Sequence, residues 1–346
     1  MPLDERKQKV LQAVVDEYVA TADPVSSRSI VGHCGLDVSP ATLRNEMAEL
    51  EEMGYLEQPH TSSGRVPSDA GYRIYVDQLM PVTALSRQEK TRLSADLIAQ
   101  CNELETLLRQ AAELLASSTG YTSVAITPHL HSSVLDQVRM LMIEPGKVLV
   151  IVVVTAGIVR DRLTRMPLEI DAETLNKLAK AIEIGLAGQR IDEITLLSLE
   201  KATERVKVPE SLLNQVLYEA YVSIKQADNL EVFLSGVPNL LTHPEFRDSL
   251  RAKTVVDALT QNGLIAGYMR EDALNKSDDG EFMIRIGQEI SLHGMEECSF
   301  VSTVYKMGDE LMGNIGVIGP RRMSYSNVVS RITFISRMVN SSLEDR

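Results

Sequence analysis

The chain has no tryptophan, only three cysteines, no apolar run fit to cross a bilayer, and a deficit of positive charge, with 35 Lys and Arg against 48 Asp and Glu among 346 residues. Each shortage removes a class of protein. Cys34, Cys101 and Cys298 are far apart and odd in number, which argues against a disulfide framework or a structural zinc site and for a reducing cytoplasm. The longest apolar run, Val148 to Val159, is interrupted by Thr155 and Gly157. It falls short of the roughly 20 residues that a membrane helix needs. The opening MPLDERKQKV carries charge of both signs and no apolar core, unlike a secretory signal. The missing tryptophan bears on packing and spectroscopy, not on function.

Catalytic signatures are missing as well. Gly313, Gly316 and Gly319 recur every three residues without a Gly-Lys-Ser/Thr ending, so they read as a glycine-rich strand and turn rather than a phosphate loop. His129 and His131 stand beside Pro128 with no third ligand near, which reads as a loop rather than a metal site. No nucleophile stands with a base and an orienting acid. The expectation is a non-enzyme without cofactor or metal.

What is present is an ordinary globular composition, 44% hydrophobic and 24% charged, in a chain long enough for two or three domains. The most informative stretch is Ser39 to Asp69. Ser39 suits an N-cap and Pro40 the first helical turn, and Leu43, Met47, Leu50 and Met53 recur at helical spacing as an inner stripe. The opposite face carries Ala41, Arg44, Asn45 and Ala48 near the helix start. Arg and Asn match the donor and acceptor edges of guanine and adenine in a major groove, and alanines permit close approach. Glu46, Glu49, Glu51 and Glu52 fall in the far half of the helix, which a helix inserted by its N-terminal end lifts away from phosphate. After Gly54, Tyr55-Leu56-Glu57 reads as a strand, and Gln58 to Arg65 as a small, polar, basic turn and return, the wing of a winged helix.

Upstream, Val10, Leu11, Val14, Val15, Tyr18 and Val19 give a first helix ending before Asp23-Pro24. Ser26 or Ser27 caps a second helix through Ile30, Val31 and Cys34 that Gly35 ends, placing Ser26, Ser27 and Arg28 where a helix N-terminus faces phosphate. Simple capping explains the serines equally well. The candidate DNA contacts are therefore Ser26, Arg28, Ser39, Ala41, Thr42, Arg44, Asn45, His60, Thr61, Ser62, Ser63, Gly64 and Arg65. Charge opposes this reading at the level of the whole segment. Residues 1 to 80 hold seven Lys or Arg and thirteen Asp or Glu, a net of −6, so binding must rest on local potential and on two linked copies. A winged helix used only for protein contact is the alternative.

Further along, Asp69 to Leu79 predicts a helix, Pro81-Val82-Thr83 a linker, and Ser86 with Glu89 a capping box opening a helix to Gly120 whose stripe is Leu93, Leu97, Leu104, Leu107, Ala111 and Leu114. That stripe could pair with its copy or pack on its own domain, and Gln100 interrupting it favours the second. Val138–Ile143, Val148–Val154 and Ile158–Arg165 predict an antiparallel meander, with Pro145-Gly146 as turn chemistry. Asp171 to Asn262 is mostly helical, with Leu212, Val216 and Tyr218 in apolar excess and hence candidate dimer contacts. Strands return at Phe282–Ile286, Phe300–Tyr305 and Leu311–Ile318 before a closing helix through Val328, Ile332, Ile335 and Val339. Strands, helices, strands suggest an α+β domain interrupted by a helical insertion.

RNEMAELEEMGYLEQPHTSSGRVPSDAGYRIYVD resembles the signature of the bacterial heat-shock repressor family HrcA, departing conservatively at Ser63 and Val66, and Gly313 to Tyr325, GNIGVIGPRRMSY, resembles that family's C-terminal motif. The resemblance implies an α+β fold with an N-terminal winged helix-turn-helix (1–80), a GAF-like α/β domain in two parts (81–166, with linker and long helix, and 276–346) and an inserted, mainly helical dimerisation domain (167–275). It implies a cytoplasmic homodimer that represses chaperone genes from an inverted-repeat operator in double-stranded DNA, modulated by the GroEL chaperonin. A regulator sensing a small molecule through the GAF-like domain is the alternative.

Overall fold

The computed structural model describes residues 3–32, 38–60, 63–81, 83–98, 104–127, 134–154, 158–227, 231–274, 282–307 and 311–344. Cys34 and Cys101, His129 and His131, and Thr61 and Ser62 lie outside them.

Helix α1 (Glu5–Thr21) starts where Asp4 accepts from Lys7 N at 2.8 Å and ends at Ala22 in the left-handed region, φ +61°. Between α1 and Ser39 the described residues form no second helix. Residues 27–32 form turns in which Ser29 N donates to Ser26 O and Val31 N to Arg28 O. The side chain of Ser26 accepts from Ser29 N at 3.2 Å, so this serine closes a turn instead of capping a helix. Helix α2 (Pro40–Glu52) begins as its sequence dictates, with Ser39 Oγ accepting from Thr42 N at 3.2 Å and Pro40 in the first turn. Leu43, Met47 and Leu50 are buried, but Met53 sits at the helix end 39% exposed, and Glu46 takes a place on the inner face.

Strands β1 (Leu56–Glu57) and β2 (Val66–Pro67) pair antiparallel as a short ribbon. Helix α3 (Asp69–Ile74), capped by Ser68, runs on as a π turn through Tyr75–Leu79. Beyond the linker, α4 (Arg87–Ile98) and α5 (Leu104–Thr119) fall within the expected long helix, with residues 99–103 outside the described ones, and the capping box is present, Glu89 accepting from Ser86 N at 3.0 Å. Its apolar stripe from Leu93 to Leu114 is buried within the chain's own core.

Then come β3 (Thr122–Ile126), β4 (Leu135–Glu144), β5 (Lys147–Val154), β6 (Ile158–Arg165), α6 (Ala172–Leu186), α7 (Leu196–Thr203) and α8 (Glu210–Gln226). They are followed by β7 (Val232–Ser235), α9 (Val237–Leu240), α10 (Ser249–Thr260), α11 (Asn262–Leu274), β8 (Met283–Ile286), β9 (Cys298–Met307), β10 (Leu311–Pro320) and α12 (Tyr325–Glu344). Two larger sheets result: a five-stranded one ordered β7-β3-β10-β9-β8, and the separate three-stranded meander β4-β5-β6. The glycine-rich segment is thus the central strand β10. Gly316 has no room for a side chain, because a Cβ there would come 2.5 Å from Phe300 Cε2.

Two compact units are built from these elements. The first comprises 1–126, 232–305 and 314–342; the second comprises 127–231, 306–313 and 343–346. These bounds differ from the expected 167–275 insertion, because the meander forms its own sheet and belongs with α6 to α8, while α10 and α11 belong with the five-stranded sheet. Periodicity locates strands and says nothing of which sheet they join.

In the second unit, α6 packs on β4 and α8 on β5 and β6, burying Val148, Val150, Val152 and Val154. The opposite face of that sheet carries Leu141, Ile143, Val159 and Leu163, at 46, 60, 54 and 54% exposure. Val216, one of the expected dimer contacts, is fully buried inside the unit, while Tyr218 is 55% exposed. Among the described residues no helix is long and apolar enough to cross a membrane.

Candidate nucleic-acid interface

The exposed face of α2 is built by its cap. Ser39 fixes the first turn, and the 3.6-residue period then turns Leu43, Met47 and Leu50 inward and leaves Ser39, Ala41, Arg44 and Asn45 exposed, with Thr42 half-buried. Thr42 Oγ1 is 3.1 Å from Ser39 Oγ, so both hydroxyls are already engaged with each other. Arg28 is exposed on the turn before α2. Among the described residues neither Arg28 nor Arg44 takes part in an ion pair, so both guanidinium groups are open to an incoming phosphate or base.

The acidic half of the helix is neutralised from two sides. Lys7 of α1 reaches Glu49 at 2.8 Å and Glu46 at 3.1 Å, and Arg6 reaches Glu46 at 3.5 Å. Hydrogen bonds to Glu49 and then Glu46 hold Lys7 above its ordinary pKa. Glu51 is bound by Arg65 across 2.7 Å. The net of −6 therefore overstates the field at the N-terminal end of α2, since three of the four glutamates on this helix are paired. Sequence reading missed Lys7 and Arg6, and the 39-residue separation of Lys7 from Glu46 left no local pattern to find them by.

The β1–β2 loop, the expected wing, is tied down at its base. Val25 and Arg65 exchange backbone hydrogen bonds of 2.8 Å each way, and a Cβ on Gly64 would stand 2.4 Å from Val25 O, so glycine is required by this approach. Ser63 closes the turn by donating to His60 O at 2.7 Å and accepting from His60 N at 3.0 Å, and His60 itself is exposed. Of the expected wing contacts, His60 is therefore presented to solvent, whereas Ser63, Gly64 and Arg65 serve the loop's own geometry and Thr61 and Ser62 lie outside the described residues. The structure brings Ser39, Ala41, Arg44 and Asn45 onto one surface. Among the described residues no group of His, Cys, Asp and Glu could hold a metal ion.

Fold and surface together define a mixed α+β protein with an Arg and Asn face displayed on an N-terminal helix. Residues 105–329 match the family described as HrcA protein C terminal domain. The heat-inducible transcription repressor HrcA of Ruminiclostridium cellulolyticum is 40% identical over 344 residues, 99% of this chain and 98% of that relative. The repressor of the same name from Symbiobacterium thermophilum is 37% identical over 334 residues, 96% and 97% of the two chains. A crystal structure of a hypothetical protein superposes with a TM-score of 0.65 over 99% of both chains at 20% identity, a likeness of fold alone. This chain belongs to the HrcA family of heat-inducible transcription repressors.

Proposed function

We propose that this chain is a cytoplasmic, sequence-specific DNA-binding repressor of chaperone genes, with its N-terminal segment working as a winged helix-turn-helix. The N-terminal half of α2 enters a major groove, where Arg44 and Asn45 read base edges while Ser39 and Arg28 meet the phosphate backbone. The observation that carries this is the open Arg44 and Asn45 face, flanked by glutamates that Lys7, Arg6 and Arg65 already neutralise.

The repressor acts as a homodimer on an inverted repeat, so that protein and operator share a two-fold axis. Support comes from the uncovered face of the meander. Register aligns Leu141, Leu149 and Leu163 across the three strands, and apolar side chains this exposed, on a face shared with Arg139 and Asp161, call for a partner. Modulation by the GroEL chaperonin belongs to the same reading: a chaperone that assists folding of the repressor raises the fraction able to bind. The rival reading, a small effector under the five-stranded sheet, has less support, because Ile265, Tyr268, Met269, Phe300 and Ile318 close on one another without room for a water.

The test is selection of duplexes from random sequence by the full-length chain, followed by a gel shift of the selected operator with and without GroEL. An inverted repeat and a GroEL-dependent gain in the bound fraction are expected. Failure to enrich any sequence would remove the DNA-binding reading.

A further inference from the structure

The two segments that resemble the family most closely are some 250 residues apart, and DNA contact accounts for neither Asp69 to Asp77 nor Arg321-Arg322. They meet within the first compact unit. Arg321 donates to Asp69 Oδ1 at 2.8 Å through Nη1 and to Glu297 Oε2 at 2.7 Å through Nη2. The second oxygen of Asp69 accepts from Gln288 N at 3.3 Å. Gly287 lets the carboxylate in, since its φ is +55° and a Cβ there would stand 2.3 Å from Asp69 Oδ2.

One helical turn on, Arg73 grips Glu289 with Nε at 3.0 Å and with Nη2, and the same Nη2 donates to Ile284 O at 2.7 Å. Arg322 holds Glu245 through Nε at 2.5 Å and donates to Val19 O at 3.3 Å. The last turn of α1 has no basic residue of its own, so Arg322 supplies the positive charge that a helix C-terminus favours. Between these pairs, Tyr72 and Tyr325 pack at 6.0 Å, both buried. Ser326 Oγ donates to Pro81 O at 2.5 Å at the start of the linker.

These contacts are unlike incidental surface pairs. They run from α1, α3 and the linker on one side to the turn after β8, the β10–α12 corner and the segment before α10 on the other. Their carboxylates and guanidinium groups are partly buried, and the Arg73–Glu289 and Arg322–Glu245 pairs are bidentate, a combination that fixes orientation as well as distance. A linker alone would leave the N-terminal helices free to swivel on the sheet. The three arginines remove that freedom.

We propose that Arg321, Arg73 and Arg322 are positioning residues: they lock the α1–α3 head to the five-stranded sheet, so that the α2 faces of two copies are held at the separation that a two-fold operator requires. The proposal rests on the DNA-binding reading above and adds what makes two heads act as one. Joining two sites raises avidity only where the geometry lets both engage together, and a freely swivelling head forfeits part of that gain. A single half-site, read by one head, is indifferent to the lock.

The experiment uses full-length protein and the operator selected by the wild-type chain, in two forms: the intact repeat, and a duplex with one half scrambled. Arg321→Gln is expected to weaken the intact repeat by about tenfold or more while changing the half-site less than about twofold, with sedimentation unchanged. Arg321→Lys, which keeps a cation between Asp69 and Glu297, should recover much of the loss, as a merely damaged fold would not. Should Arg321→Gln not fold, Arg73→Gln is put through the same comparison. Equal losses on both duplexes, or intact-repeat binding within about twofold of wild type, would overturn the lock. A wild-type chain that selects no DNA would instead overturn the function on which it depends.

Discussion

Arg65, the arginine at the foot of the β1–β2 loop, is bound by Glu51 of α2: Nη2 lies 2.7 Å and Nε 2.8 Å from Glu51 Oε2, and the arginine side chain is only 16% exposed. Its charge is therefore spent on the helix when DNA is absent. Contact with phosphate requires Arg65 to leave Glu51 or to share it. Replacing Glu51 by Gln removes a negative charge from the binding face and frees the arginine, so nonspecific DNA affinity should rise and the slope of log K against log salt should steepen by about one. Fluorescence anisotropy across a salt series reads both, and an unchanged slope would place Arg65 outside the phosphate contacts.

Arg44 carries no such partner among the described residues and stands on the capped first half of α2, where the proposed function has it read base edges. Arg44→Ala should cost about 1–3 kcal/mol on the operator and much less on random DNA. Equal losses on both would make it a backbone contact.

The parts that were legible in the sequence are those encoded locally. Ser39-Pro40 announced the start of α2, Gly54 its end, Ser86 with Glu89 the start of α4, and Pro145-Gly146 the turn between β4 and β5, because caps and turns use the chemistry of adjacent residues. The second helix was misplaced because serines that cap helices also close turns, which is what Ser26 does. Short strands β3 and β7 did not stand out, since Thr122–Ile126 is buried on both faces and shows no alternation. Of the site, the outward face of α2 was readable from its period, whereas the cations that neutralise its glutamates come from α1 and the wing, and only the folded chain brings them there.

Gly316 is the clearest packing test in the central strand. A methyl at this position meets the ring of Phe300 at 2.5 Å, and overpacking a filled core costs about 1–3 kcal/mol. Gly316→Ala should lower the urea midpoint, and Phe300→Leu in the same chain should return part of the loss. A double variant no better than the sum of its parts would mean that backbone, not ring contact, sets the requirement.

His243 supplies a pH dependence. Burial beside Tyr121, whose ring stacks on it at 5.3 Å, and then the Arg322 guanidinium hold its pKa below the ordinary 6.5. The folded chain therefore keeps the imidazole neutral where the unfolded chain takes a proton, so stability falls as pH drops through the unfolded value and is unaffected well above it. Compared with His243→Gln, the wild type should lose ground in melting temperature between about pH 7.5 and pH 5. A difference constant with pH would exclude the histidine as the titrating group.

In the proposed homodimer, the choice of surface turns on which apolar side chains remain outside after each unit has packed. Val216 and the other inner residues of α8 are consumed by the meander, so the helical excess seen in the sequence is core. The residue left over on that helix is Tyr218, an isolated apolar surface side chain of the kind any protein tolerates. The outer face of the meander is different, because Leu141, Ile143, Val159 and Leu163 lie on one sheet face and the half-buried Leu149, Ile151 and Val153 run between them. A carboxylate forced into an apolar contact must be desolvated without a partner, which opposes association, while the same carboxylate on an open surface stays hydrated. Sedimentation at micromolar concentration should therefore show Ile143→Asp with Leu163→Asp as a folded monomer that binds the intact operator as weakly as a half-site, and Tyr218→Asp as an unaltered dimer. The reverse pattern would return the interface to α8.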